Sequence, residues 1–401
     1  MCKSSTLQLY LLCFISACVT KNLGNTTEFF VEDQKTFVEV PFELIDNRNF
    51  VEVFLDNEGP FKFILDTGGG DGIVITPEIA QLLETKIIGS KMVSGVGAEK
   101  QKAELSTVTD VRLNSIHLLN VKTTILSLKK IQDAIGFDRF DGIIGHELFS
   151  RFVTTIDFEN NTLRFALPKY FQPPKQAVSV PLIIDGAPYV TVGIGNAKGR
   201  FLVDTGDRSS LSFCGPFTDK FALLDLVKPK LEAMTGYGVG GPVPAKIGIV
   251  KKIDIGNVEI SNIVARFPTL REGSFASEED AGIIGNGILK NFRVTFDYAN
   301  AVMFLENQNK SSESANYDRS GMWIGKNGDS WVVFDVVKYG PADRAGIKLG
   351  DQIEKIDGLT PSELNIDEAR ARLRSSSPGL VKVTIGGTTN RSVTLKLRNL
   401  L

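Results

Sequence analysis

Histidine and cysteine are the scarce residues of this sequence. Among 401 residues there are 2 histidines, His117 and His146, and 4 cysteines. So little imidazole and thiolate leaves almost no material for a metal cluster and argues against a Ser-His-Asp or Cys-His mechanism, so neither metal nor cofactor is expected. Cys2, Cys13 and Cys18 crowd the N-terminus. The remainder holds only Cys214, which reads as a small core residue; with no internal disulfide available, the fold must stand on its core. Charge of one sign is lacking too. With a formal net charge of −2 and dispersed basic residues, nothing points to nucleic acid as a partner.

A long apolar run is also missing. The start, MCKSSTLQLYLLCFISACVT, carries Lys3 and then about a dozen mostly apolar residues, which reads as an export signal over residues 1–18, too short to span a bilayer. Ile15-Ser16-Ala17-Cys18 resembles a bacterial lipobox, which implies lipidation of Cys18 and a periplasmic or cell-envelope protein touching the membrane through that anchor alone.

What the chain does contain is a repeat. The segment DGIIGHELFSRFVTTIDFENNTLRF (141–165) lies over AGIIGNGILKNFRVTFDYANAVMFL (281–305) without a gap, so that Gly142, Ile143, Ile144, Gly145, Phe152, Thr155 and Asp157 recur as Gly282, Ile283, Ile284, Gly285, Phe292, Thr295 and Asp297. SGVGAEK (94–100) echoes YGVGGPV (237–243). An apolar run leads into Asp66-Thr67-Gly68, and a second, Phe201-Leu202-Val203, into Asp204-Thr205-Gly206. These three landmarks occur twice in the same order. Short runs with period-two alternation, separated by Gly, Asn, Asp and Pro, make residues 37–305 all-β. The proline-rich PKYFQPPKQAVSVP (168–181) marks the boundary between two lobes, 37–167 and 178–306.

An acid at the end of an apolar strand is costly to ionise unless it is paired. Equivalent turns of two similar lobes meet at a pseudo-twofold axis, which would bring Asp66 and Asp204 together. Two carboxyls in contact share one proton; the ionised member can take a proton from water while the protonated one hydrogen-bonds a carbonyl. Gly68 and Gly206 allow tight turns, and the hydroxyls of Thr67 and Thr205 can brace the acids. The hairpins bearing Gly95 and Gly97, and Tyr237 and Gly238, are expected as flaps over a substrate groove. His146 follows the first Ile-Ile-Gly but is Asn286 in the second, which favours a structural role.

Through Phe63 to Gly68, Leu202 to Gly206 and the two Ile-Ile-Gly elements, residues 37–305 resemble the pepsin and retropepsin clan of aspartic proteases. The resemblance implies a bilobal double barrel, Asp66 and Asp204 as catalytic dyad, Thr67 and Thr205 gripping each other's loops, and an extended polypeptide substrate in the cleft. The chain departs from the pattern in two places. Gly69 and Asp207 stand where a Ser or Thr usually supports the acid, and Ser94 where a flap tyrosine is expected.

Residues 307–319 are polar and aperiodic and read as a linker. Beyond them, residues 320–401 resemble a PDZ domain, a small α+β module, through SGMWIG, VVKYGPADRAGIKLGDQIEKIDG and a closing hairpin. The resemblance implies a peptide ligand at the loop Gly321-Met322-Trp323-Ile324. The sequence thus reads as a monomeric aspartic endopeptidase with a PDZ domain, the alternative being an inactive peptide-binding scaffold of the cell envelope.

Overall fold

The computed structural model describes residues 28–137, 140–228, 231–308, 318–377, 379–387 and 390–401. The segment with Cys18 and most of the 307–319 linker lie outside the described residues. Within them the repeat becomes two sheets of one design, a nine-stranded sheet in the first lobe and an eight-stranded sheet in the second.

The design is set by how the apolar runs pair. Strand Glu58–Asp66 returns antiparallel from Arg48–Leu55, and the Ile-Ile-Gly strand Gly142–Gly145 inserts beside it in parallel, with Gly145 opposite Asp66. In the second lobe Ala197–Asp204 returns from Pro188–Ile194, and Gly282–Gly285 inserts beside it with Gly285 opposite Asp204. Both inserted strands are flanked on their other side, antiparallel, by short strands, Ile73–Ile75 and Leu211–Phe213. Glycine is required where the inserted strand passes its neighbours: a Cβ on Gly145 would strike the Asp66 carbonyl, and one on Gly282 the Ser212 carbonyl.

The halves are joined more intimately than a linker would join them. Residues 153–157 and 292–297 pair antiparallel at the centre of a six-stranded sheet shared by both lobes, with Thr155 opposite Thr295 and their hydroxyls 2.8 Å apart. These two threonines are equivalent positions of the repeat, so the pseudo-twofold axis passes between them. Phe149 and Phe296 meet edge to face across the same seam at 5.3 Å. One apolar cluster runs through both lobes, and each fully buried aromatic in it, Phe63 and Phe201 among them, contributes roughly 1.5–3 kcal/mol. The first lobe also gains a strand the sequence pattern had not suggested, Glu28–Val31, paired with Ile116–Leu119.

Residues from Met322 onward form a five-stranded sheet with its own core around Ile324, Trp331, Ile353 and Val383. Helix Ile366–Arg374 covers it. Its start is fixed by a capping box in which Asn365 Oδ1 accepts from the Glu368 amide at 2.9 Å and the Glu368 carboxylate accepts from the Asn365 amide at 3.1 Å.

Candidate active site

Each Asp-Thr-Gly sits where a buried strand ends against the inserted Ile-Ile-Gly strand, and the shared sheet turns the two ends toward one another. Thr67 and Thr205 are 1% and 0% exposed, and they bind each other's strands reciprocally. The Thr67 hydroxyl donates to the Val203 carbonyl at 2.6 Å and accepts from the Thr205 amide at 3.0 Å. The Thr205 hydroxyl donates to the Leu65 carbonyl at 2.7 Å and accepts from the Thr67 amide at 3.1 Å. Four bonds, related by the pseudo-twofold, therefore fix the two turns against each other.

With the turns fixed, the carboxyl groups of Asp66 and Asp204 are hydrogen-bonded to one another. Gly68 donates to Asp66 Oδ1 at 2.7 Å; Gly206 and Asp207 donate to Asp204 Oδ1 at 2.8 and 3.1 Å. Gly68 and Gly206 are needed because each lies against the opposite lobe's acid, and a Cβ on Gly206 would come within 2.5 Å of the Asp66 carboxyl carbon. Burial raises the pKa of Asp66. Asp204 is raised well above the ordinary carboxylate value by burial first, then by the negative charges of Asp66 and Asp207. The pair thus holds a proton more tightly than isolated carboxyls would.

The positions after each glycine differ between lobes. Gly68, Gly69, Gly70 and Asp71 are exposed. In the second lobe Asp207 supports Asp204 through its backbone amide, while its side chain turns away to Arg266 at 2.8 Å and to the Ser209 hydroxyl at 2.7 Å. The Arg266 guanidinium also donates to Ser212 and to the Thr235 carbonyl. Burial pushes the Asp207 pKa up, but Arg266 and Ser209 outweigh it and hold the carboxyl below its usual value. The missing Ser or Thr support is thus replaced by a buried ion pair in one lobe and by bare glycine in the other.

Several residues at the site carried no sequence signal. A type I′-like turn with positive φ at Asp46 and Asn47 carries Arg48, which donates to the Gly206 carbonyl at 3.0 Å and to Asp46 at 2.6 Å. Asp46 also pairs with Arg208 at 3.0 Å. Burial works to raise its pKa, but Arg208, Arg370 and Arg48 together hold it low. Asn286, fully buried, donates to the Thr205 carbonyl at 2.7 Å and to the Asn47 carbonyl at 2.9 Å. Its repeat partner His146 lies 3.6 Å from Asp71, outside the dyad's hydrogen bonds.

The hairpins meet above the dyad. The Gly97 amide donates to the Val239 carbonyl at 3.0 Å and the Glu99 amide to Gly240 at 2.9 Å; a Cβ on Gly95 would strike Val239 and one on Gly238 would strike Val96. Gly95 and Tyr237 line the cleft beneath, which encloses about 610 Å³. Its walls near the acids are apolar, with Ile64, Val74 and Ile143 on one side and Leu202, Val243 and Ile283 on the other. Gly321, Met322, Trp323 and Ile324 lie apart from this site, at the edge of the C-terminal sheet. Cys214 is buried beside Phe275 and Ile283, and burial pushes its thiol up to about 12.

Residues 51–148 match the aspartyl protease family model, and residues 332–385 match the PDZ domain model. A curated relative, the carboxy-terminal processing protease CtpA of Bacillus subtilis (strain 168), is 22% identical over 151 residues. That match covers 36% of this chain and 32% of the relative. Among solved structures, an aspartic proteinase from Irpex lacteus aligns with a TM-score of 0.48 at 14% identity, over 70% of this chain and all of that one. The duplicated strand-to-acid unit and the two family matches give the chain an aspartyl protease-like domain followed by a C-terminal PDZ domain.

Proposed function

We propose that this protein is an aspartic-type endopeptidase that hydrolyses internal peptide bonds with water activated by Asp66 and Asp204. The observation that carries the reading is the hydrogen-bonded acid pair held by the reciprocal Thr67 and Thr205 bonds at the floor of a flap-covered cleft. The ionised acid takes a proton from a water placed between the two, and the oxygen attacks the scissile carbonyl carbon. The protonated acid donates to the carbonyl oxygen as charge develops there. In the breakdown step one carboxyl returns a proton to the leaving nitrogen, which restores a pair with one proton; the assignment of that proton belongs to the pair.

The apolar walls on both sides of the acids favour an extended peptide with apolar side chains flanking the scissile bond. Thr67, Gly68, Thr205 and Gly206 position the dyad, and the hairpins at Gly95 and Gly97 and at Tyr237 and Gly238 cover the substrate. The PDZ domain supplies a second peptide-binding surface at Gly321–Ile324. Export and lipidation at Cys18 belong to the same reading, and the mass of the mature N-terminus checks them.

The test is hydrolysis of denatured casein from about pH 3 to 7, with and without pepstatin, beside the Asp66→Asn and Asp204→Asn chains. Pepstatin-sensitive cleavage lost in both substituted chains is expected. Cleavage that persists in both would overturn the assignment.

A further inference from the structure

The surface through which a PDZ domain takes a peptide is already covered in this chain. An incoming peptide adds to an exposed sheet edge, and here that edge is strand Met322–Asn327, with helix Ile366–Arg374 alongside. Against both packs a short helix of the first protease lobe, Lys129–Ile135, ending in Gly136. The approach is close: a Cβ on Gly325 would lie 2.6 Å from the Asp133 carbonyl, and a Cβ on Gly136 would lie 2.9 Å from the Ile366 side chain. Gly136 has a φ of +76°, a left-handed terminus that lets the chain leave the helix without a side chain in the groove.

Arg370 fastens this arrangement. It is 5% exposed, and its guanidinium donates to the Ile324 carbonyl on the edge strand at 2.8 Å and to the Ala134 and Ile135 carbonyls of the protease helix at 2.7 Å each. Those carbonyls are unsatisfied helix-end acceptors, partly negative, and they occupy the guanidinium as an anionic ligand would. The neighbouring loop is engaged as well. The Ser320 and Gly321 amides both donate to Asp318 Oδ1 at 2.8 Å.

We propose that residues 129–136 are the resident occupant of the PDZ groove, so that a free peptide enters only by displacing them. The occupant is part of the cleft's construction: Ile131 lines the cleft, and Arg370 lies 3.7 Å from Asp46, which holds Arg48 on the Gly206 carbonyl. The module also reaches the second flap, where Asp335 accepts from the Met234 amide at 2.7 Å. Peptide binding to the groove and peptide binding to the cleft are therefore linked, each weakening the other. Only this linkage rests on the peptidase reading; occupancy of the groove does not.

The test uses the full chain and a readout that needs no cleavage. The probe is a synthetic peptide of residues 129–137, KKIQDAIGF, and the signal is the fluorescence of Trp323 and Trp331, the only 2 tryptophans in the sequence, both in the PDZ domain. In Gly136→Val, where a side chain meets Ile366 at a left-handed φ, the probe is expected to bind about ten-fold more tightly than in the unaltered chain. Amides of 322–327 should also exchange about ten-fold faster. Should that variant not fold, hydrogen exchange of the unaltered chain with excess probe decides: the amides of 131–135 should lose protection as 322–327 gain it. Equal probe affinity in both chains, or binding that leaves 131–135 protected, would overturn the proposal.

Discussion

The two lobes share one frame and hold their Asp-Thr-Gly turns by different means. In the second lobe the turn after Asp204 is held by Asp207, Ser209, Ser212 and Arg266, the last reaching it from strand Val258–Pro268. The equivalent places in the first lobe are Gly69 and Thr124, since Thr124 stands opposite Val74 as Arg266 stands opposite Ser212 in the matching pair of strands. Charge and counter-charge are thus present together in one lobe and absent together in the other. The connection before each Ile-Ile-Gly strand diverges in the same way. In the first lobe it is the helix that meets the PDZ domain; in the second it is a short turn whose Ser274 amide donates to the Gly95 carbonyl of the opposite flap at 2.9 Å. What is alike in the lobes builds the acid pair, and what differs fixes one turn and leaves the other exposed.

The sharpest way to break this comparison is at the acids, where the lobes should be equivalent. Asp66→Asn and Asp204→Asn should each lower kcat/KM by at least about a thousand-fold, because either change removes the shared proton's acceptor or its donor. A single-turnover assay that found one of them near the unaltered rate would make the lobes unequal in chemistry as well as in support.

The next largest effect should separate the lobes. Arg266→Met leaves Asp207 buried without its partner and should cost about 3–5 kcal/mol, whereas Thr124→Val should cost about 1 kcal/mol, both read by denaturant unfolding. The loss in Arg266→Met should shrink in acid: Asp207's folded pKa is lowered, so the stability it supplies is present above its unfolded pKa and disappears as the pH falls through the folded one.

A third pair of changes should bring the lobes together again. Thr67→Val and Thr205→Val each remove a hydroxyl that donates to one buried backbone group and accepts from another, and each should cost about 1–3 kcal/mol, with similar values for the two. Unequal costs would show that the reciprocal bonds are symmetric in geometry only.

The smallest expected effect is on pH dependence. Asp207's charge helps hold Asp204's pKa up, and Asp207→Asn also leaves Arg266's positive charge uncompensated. Both changes favour the ionised pair, so the alkaline limb of kcat/KM should move to lower pH by about one unit. Asp71→Asn, on the exposed turn of the first lobe, should leave that limb in place.

The readable part of the site was the part made from repetition. Asp66, Thr67 and Gly68 recur as Asp204, Thr205 and Gly206, and Ile-Ile-Gly recurs in register behind them, so an internal comparison of the chain exposed the acids, the hydroxyls and the flap glycines. Arg48, Asp46, Arg266, Asn286 and Arg370 do not recur, and a charged or amide residue in a short alternating run reads as solvent-facing. Their burial arises from partners far along the chain, as with Asn286 and Thr205 or Arg370 and Ile135.

By itself, the sequence determined most of the strands and turns, the duplicated unit and the identity of the paired acids, because local alternation, glycine and an internal repeat each leave a periodic or positional trace. Tertiary structure alone decided which charges are buried, how the acids' turns are braced and what lies in the PDZ groove. Those outcomes depend on desolvation and on long-range hydrogen bonds, neither of which has a local pattern for the sequence to display.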